Sequence, residues 1–178
     1  WSYYVAHGAV TGGDYGANLT ATCANYPFAE CAHHEPAPPL PLCPTTEYNT
    51  PACPTACPNA GYPGSWASDK HMAKTQYNVN SVNAAMTDMV SRGSLVAAFE
   101  VYSDFLTYTG GVYKKTKGAT ALGGHAVKIL GWNVTTAGEA YWIVANSWNA
   151  NWGLNGTFWI AKGVDECGFE DDLSAGTV

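Results

Sequence analysis

Between Cys23 and Pro63 the chain crowds its prolines together with five of its six cysteines. Proline lacks a backbone N–H and fixes φ, so this stretch cannot run as a regular helix or a central strand. It has to be a long ordered loop region held by covalent links, and such loops inside compact domains usually serve function. Cysteines crowded into a loop-rich stretch read as a disulfide framework made in an oxidising compartment. Zinc is the alternative. Cys53 and Cys57 stand four apart and His33-His34 lie nearby, but nothing completes a paired knuckle, and neither a metal nor a cofactor is expected.

The remaining composition narrows the class. The chain has 178 residues, enough for a full domain, with 7 Trp, 11 Tyr and only 12% charged residues, which suits a packed body and argues against disorder. Net charge is −6, and five of the 14 acids fall between Asp165 and Asp172. The eight Lys and Arg are thinly spread, so no patch tracks phosphates and nucleic acid is excluded as a partner. No long apolar run predicts a membrane span. The sequons at Asn18, Asn133 and Asn155 fit a glycosylated, secreted protein.

Trp1 to Gly16 is aromatic, then glycine-rich. Ser81–Arg92 reads as the one clear helix. Val82, Ala85, Met86, Met89 and Val90 form its apolar stripe, Ser81 or Asn80 caps it and Gly93 stops it. Strands are expected over Leu95–Tyr102, Gly111–Tyr113, His125–Trp132, Ala140–Asn146 and Gly156–Ala161. A helix followed by strands predicts an α+β domain with an antiparallel, partly closed sheet.

One constellation carries chemistry. His125 follows Gly123-Gly124, which permit close backbone approach, and opens the apolar run to Trp132. Asn146 ends the next strong strand and precedes Ser147-Trp148. If the two strands pair antiparallel, the Asn146 oxygen accepts from one imidazole nitrogen and fixes the tautomer, leaving the other nitrogen for a thiol. Trp148 would cover that hydrogen bond. Taken singly, His125 reads as a core histidine and Asn146 as a turn residue; their joint setting favours the base and its orienter. No cysteine here sits in the Cys-Gly-Ser-Cys-Trp setting of a nucleophile, and no leader is visible at Trp1, so the chain reads as a C-terminal piece of a longer precursor.

The stretches Gly123–Trp132, Tyr141–Asn149, Asn151–Gly156 and Cys167–Glu170 resemble the C-terminal part of papain-like cysteine proteases, most of all the cathepsin B type. Val101–Leu106, Asp69–His71 and Gly12–Tyr15 extend the resemblance to nearly the whole chain. It implies a two-domain papain-like fold. Residues 1–22 would trail the helical domain, residues 23–63 would form an occluding-type loop region, and residues 64–178 would form the β-rich right-hand domain with the catalytic His125 and Asn146. It also implies disulfides Cys23–Cys57 and Cys31–Cys43, with Cys53 seeking a partner outside the chain and Cys167 a free buried thiol.

By the same resemblance, His33 and His34 would hold a substrate's C-terminal carboxylate. Asp172 would lie at the bottom of a subsite that accepts arginine, with Ala98 and Ala126 as its walls. Val101, Leu106, Leu122 and Trp148 would form an apolar patch on the primed side, and Gly123 would line the cleft. Solvated loop histidines and a solvated acid remain the plainer readings of His33, His34 and Asp172. Three positions depart from the family pattern: Ala32, Leu40 and Asn151 lack the acid, the arginine and its acidic partner expected there. An ion-pair latch on the loop is therefore expected to be missing. If His33 or His34 were held to an acid, its pKa would rise and dipeptide trimming would fade toward neutral pH.

The function expected is that of a lysosomal or secreted thiol endopeptidase with dipeptidyl-carboxypeptidase activity. Its partners would be peptide and protein substrates, the N-terminal half with the nucleophile, and a propeptide or cystatin-type inhibitors; this chain alone would be inactive. Two rivals are a catalytically dead relative that binds peptide or matrix, and a disulfide-rich interaction domain.

Overall fold

In the computed structural model, residues 1–46 and 48–178 are described. In chain order the elements are α1 (Ser2–His7), β1 (Gly12–Gly13), β2 (Ala24–Asn25), β3 (Thr75–Asn78), α2 (Val82–Arg92), β4 (Leu95–Tyr102), β5 (Val112–Tyr113), β6 (Ala121–Val134), β7 (Ala140–Ala145), β8 (Thr157–Ala161) and β9 (Leu173–Thr177). Seven strands form one sheet in the order β3-β9-β4-β6-β7-β8-β5. Its described pairings are antiparallel except β5 with β8, which is parallel. The chain belongs to the α+β class expected.

Backbone contacts divide the chain into two compact units. One comprises Trp1–Cys31, Cys43–Gln76 and Gly176–Val178; the other comprises Ala32–Leu42 and Tyr77–Ala175. The second contains the apolar core. β4 alternates without exception, with Leu95, Ala97, Phe99 and Val101 buried and the residues between them half-exposed. That is the period-2 signature of a strand with one face covered. On the covered face Phe105, Trp142, Trp152, Phe158 and Phe169 are fully buried. Phe105 meets Phe158, Tyr113, Trp152 and Trp148 edge-on, at centroid separations of 4.8, 4.9, 5.0 and 5.4 Å. Edge-on aromatic pairs add to plain burial because ring edges are positive and faces negative.

The first unit is built differently. Its buried side chains are few and partly polar: Cys23, Ala73, Asn59 and Asp69. Asp69 accepts from the Thr11 backbone N–H and hydroxyl, both at 2.7 Å, and from the Tyr62 hydroxyl. The Tyr62 hydroxyl above all holds its carboxyl below the usual carboxylate range. Asn59 donates to the Thr22 carbonyl and to Asn25 Oδ1. The bond Cys23–Cys57 ties this network together, and Cys31–Cys43 closes the Ala32–Leu42 segment, as the resemblance implied. A unit short of apolar residues has to rely on such cross-links.

The helix α2 begins where Ser81 Oγ accepts from the Ala84 N–H at 3.2 Å and ends at Gly93. Its stripe is narrower than the spacing predicts. Val82, Ala85, Met86 and Met89 face the core, whereas Val90 is 79% exposed. Asp88 is buried instead, because it accepts from the Tyr77 hydroxyl at 2.9 Å and pairs with Arg92. The element α1 was not foreseen; it is a six-residue turn too short for periodicity to register. β3 and β9 were also unforeseen, β9 because Ser, Gly and Thr disguise the buried alternation of Leu173 and Ala175. Cys167 is half-buried rather than buried, and burial, then Glu166, pushes its thiol up to about 12.

Phe105→Ala is expected to cost about 3–5 kcal/mol, the usual penalty for emptying a buried aromatic site. Urea unfolding of the two proteins measures it; a loss below about 1 kcal/mol would mean that this cluster does not hold the core.

Candidate active site

His125 lies in mid-strand, the fifth residue of β6, and not at its start as the sequence suggests. What places it at a boundary is the neighbouring strand. β7 ends at Ala145, which pairs with Lys128, so the part of β6 before Lys128 has β4 on one side and no β7 on the other. Asn146 follows β7 immediately, held by its N–H to the Gly156 carbonyl at 2.9 Å. Continuing the same register brings Trp148 alongside His125, and their rings stack at 5.4 Å with 23° between planes.

The hydrogen bond expected between these strands is present: His125 Nε2 lies 2.8 Å from Asn146 Oδ1. That oxygen also accepts from the Ser147 N–H at 2.8 Å. A backbone N–H can only donate, so the carboxamide must turn its oxygen this way. Facing an acceptor, Nε2 must then carry the proton, and Nδ1 is left with its lone pair. Asn146 Nδ2 is buried with no hydrogen-bond partner among the described residues.

Just before His125, Gly123 has φ of 128° and donates its N–H to Glu100 Oε1 at 2.8 Å. No residue type or spacing marked Glu100 as a participant, and only the β4–β6 register, which pairs it with Gly124, reveals it. Asn149 is likewise unforeseen; it and Asn151 donate to carbonyls of the Ala32–Leu42 segment. Leu40 and Asn151 carry no charge to pair, and the segment is held by the Asn149 and Asn151 carboxamides instead.

In that segment His34 lies against Trp148, ring centroids 4.2 Å apart, with His33 at 5.9 Å. No acid pairs with His34 among the described residues. Burial, then His33 and His125, push its imidazole below the ordinary 6.5. This reverses the pH dependence that pairing with an acid would give.

The other predicted subsite residues gather on the opposite face of β6. Ala98 pairs with Ala126. One further step of the β4–β9 register, marked by Ala97 with Leu173, sets Asp172 beside Ala98, whose N–H donates to the Asp172 carbonyl at 3.2 Å. Ala126, Ala98 and the exposed Asp172 thus form a row across three strands. The structure does not bring Val101 into an apolar surface patch. It is 6% exposed, on the covered face of β4. Leu106 is half-buried beside Trp152, and Leu122 is exposed. The sequon residues Asn18, Asn133 and Asn155 are all exposed, and Cys53 is an exposed free thiol.

Known proteins are similar to this chain in sequence and fold. Residues 1–177 match the family described as papain family cysteine protease. The chain is 44% identical over 177 residues to "Cathepsin B-like cysteine proteinase 4" of Caenorhabditis elegans, covering 99% of this chain and 52% of that protein. It is 42% identical over 179 residues to "Cathepsin B-like cysteine proteinase" of Schistosoma japonicum, covering 100% and 51%. Among solved structures, "proCathepsin B S9 from Trypanosoma congolense" matches with a TM-score of 0.72 and 30% identity, over 99% of this chain and 51% of that one. Bromelain from Ananas comosus in complex with the E64 inhibitor matches with a TM-score of 0.53 and 28% identity, over 68% and 56%. The chain belongs to the papain family of cysteine proteases and has its fold. It is similar to the cathepsin B-like members and spans about half the length of the curated relatives it matches. No helix among the described residues is long and apolar enough to cross a membrane.

Because burial, then His33 and His125, lower the His34 pKa, its contribution to closing the segment is full above the open-state pKa, about 6.5, and is lost as pH falls toward the lower packed value. An NMR titration should place the His34 midpoint below that of a denatured control. A midpoint at or above the control would contradict the packing on Trp148.

Proposed function

We propose that this chain carries the acid–base half of a cathepsin B-like cysteine peptidase that hydrolyses peptide bonds, the attacking thiolate being supplied from sequence outside these 178 residues. The observation that carries the reading is the His125–Asn146 hydrogen bond at 2.8 Å beneath the Trp148 ring. With Nε2–H committed to Asn146, His125 Nδ1 takes the thiol proton and forms an imidazolium–thiolate pair. The thiolate attacks the scissile carbonyl, and the imidazolium returns its proton to the leaving amine. The same nitrogen then removes a proton from the water that hydrolyses the thioester. Asn146 keeps the ring oriented through both transfers, and Trp148 shields the hydrogen bond from water.

The fuller role we propose is an endopeptidase that also releases C-terminal dipeptides. His33 and His34, both exposed and on the segment packed over Trp148, would meet the terminal carboxylate; at acid pH a bound carboxylate would favour their charged forms. Compartments suited to this chemistry are lysosomal, endosomal or extracellular. A propeptide and cystatin-type inhibitors would occupy the same cleft, and the exposed Cys53 would bond to the remainder of the protein.

In the whole protein, His125→Ala should lower kcat/KM by at least about 10²–10⁴ and abolish labelling by thiol-directed epoxides. The isolated chain should hydrolyse nothing. Full turnover by the His125→Ala protein, or cleavage by the isolated chain, would refute the assignment.

The row Ala126–Ala98–Asp172 is proposed as the subsite for the residue preceding the one at the scissile bond, with the Asp172 carboxylate attracting arginine there. Asp172→Ala should then reduce kcat/KM for arginine at that position about tenfold more than for a bulky apolar residue. Equal losses for both would place Asp172 outside the subsite.

A further inference from the structure

Two carboxamides hold the Ala32–Leu42 segment. Asn149 Nδ2 donates to the His33 carbonyl at 2.6 Å and to the Glu35 carbonyl at 3.2 Å. Asn151 Nδ2 donates to the Pro36 carbonyl at 2.9 Å. The orientation of Asn149 is dictated from behind. Its Oδ1 accepts from the N–H groups of Asn151 and Trp152, at 2.7 and 3.2 Å. Trp152 is itself fully buried, with its indole N–H on the Leu106 carbonyl. The amide oxygen is therefore committed to the core side, and the NH₂ group must face the segment.

The carbonyl that Asn149 grips has a second role. The Glu35 N–H donates to the same His33 oxygen at 2.7 Å, closing a three-residue turn around His34, whose φ is 63°. Such a turn with positive φ at a non-glycine residue is rare and strained, and it persists only where neighbours impose it. This turn directs the His34 ring onto Trp148.

We infer that Asn149 and Asn151 are positioning residues that form an uncharged latch, clamping the strained turn so that His34 stays over Trp148. On the reading proposed above, in which this segment selects substrates ending in a carboxylate, the latch sets the balance between dipeptide release and internal cleavage. Carboxamides neither titrate in the working range nor lose strength to salt as exposed ion pairs do. Among the described residues, the titratable groups around the latch are His33, His34, His125 and Glu35. As His34 takes up a proton and loosens, the three amide hydrogen bonds remain. Closure should thus keep a component insensitive to both pH and ionic strength.

The test uses the whole protein and two variants. Asn149→Asp keeps the acceptor oxygen for Asn151 and Trp152 but replaces the donors with a negative charge facing the His33 and Glu35 carbonyls; Asn151→Ala adds no charge and leaves Asn149 untouched. Hydrogen exchange is read at the amides of Ala32, Glu35 and Leu40, which are bonded within the segment. Dipeptide release and internal cleavage are measured from low salt to about 1 M salt. Each variant should speed exchange at these amides about fivefold to tenfold, the loss of one or two net hydrogen bonds. Each should also shift the activity ratio toward internal cleavage by a similar factor, while wild-type exchange at these amides changes less than about twofold between low salt and about 1 M salt. Unchanged exchange in both variants would overturn the latch, as would wild-type exchange at these amides that speeds severalfold with salt. Faster exchange with an unchanged activity ratio would confirm the latch as a structural element and overturn its claim on specificity, along with the proposed role of the segment.

Discussion

The indole of Trp148 is the surface on which the parts of the site converge. From the core side it is packed by Phe105 at 5.4 Å and Trp152 at 4.8 Å, both fully buried. From the other side come His125 at 5.4 Å and His34 at 4.2 Å. The two imidazoles arrive from distant parts of the sequence and meet on this ring. Because Phe105 and Trp152 leave Trp148 little rotational freedom, a packed apolar cluster becomes a fixed floor for a polar site. Rigidity of that kind is what a proton-transferring group needs, since a base displaced by a fraction of an ångström loses its hydrogen-bond geometry.

The sheet supplies the second constraint. β6 is longer than β7, and the unmatched part contains Gly123 to Val127. There the strand is supported by β4 on one side and leaves the other side open, so groups from both of its faces are reachable at one edge. A bulge at Leu130, where Ile129 pairs with Val144 but Gly131 pairs with Ile143, shifts the alternation farther along β6. His125, Val127 and Ile129 therefore share the covered face, and Trp132 regains it after the bulge. A single extra residue lets one long strand present a histidine at one end and a core tryptophan at the other.

How much of this was legible depended on how local the signal was. The strand-like run from Leu95 to Tyr102 and the capped repeat from Ser81 to Gly93 are local signals, and both gave the type of element expected. The pairing of His125 with Asn146 was also legible, because a glycine pair, a strand and an Asn-Ser-Trp ending each left a mark on the sequence. Illegible features all depended on register between remote segments. His125 sits at an edge because β7 stops early, which no residue near His125 records. Val90 was assigned to the core by its spacing, but Asp88 displaced that face of α2 through its bonds to Tyr77 and Arg92. Val101 lies beneath the sheet because β4 alternates strictly, which overrides its place in a surface patch. For His34 the surroundings were equally hidden: among the described residues its ring meets the adjacent His33, and the Trp148 indole and His125, which come from segments the sequence cannot place beside it.

The Asn146 carboxamide shows what fixing a tautomer entails. Its oxygen serves two donors, His125 Nε2–H and the Ser147 N–H, while its nitrogen is buried with no partner among the described residues. Leaving a buried amide donor unsatisfied costs about 1–3 kcal/mol. Rotating the amide would relieve that cost but set its NH₂ against the Ser147 N–H, so the rotation is blocked by a neighbour that has no choice of role. The unsatisfied donor is thus a consequence of using one oxygen to orient the histidine. An aspartate in its place would satisfy both donors and leave no orphan, but its charge would favour the protonated imidazole over the neutral base. A neutral amide fixes the direction of the ring while leaving Nδ1 free to gain and lose a proton.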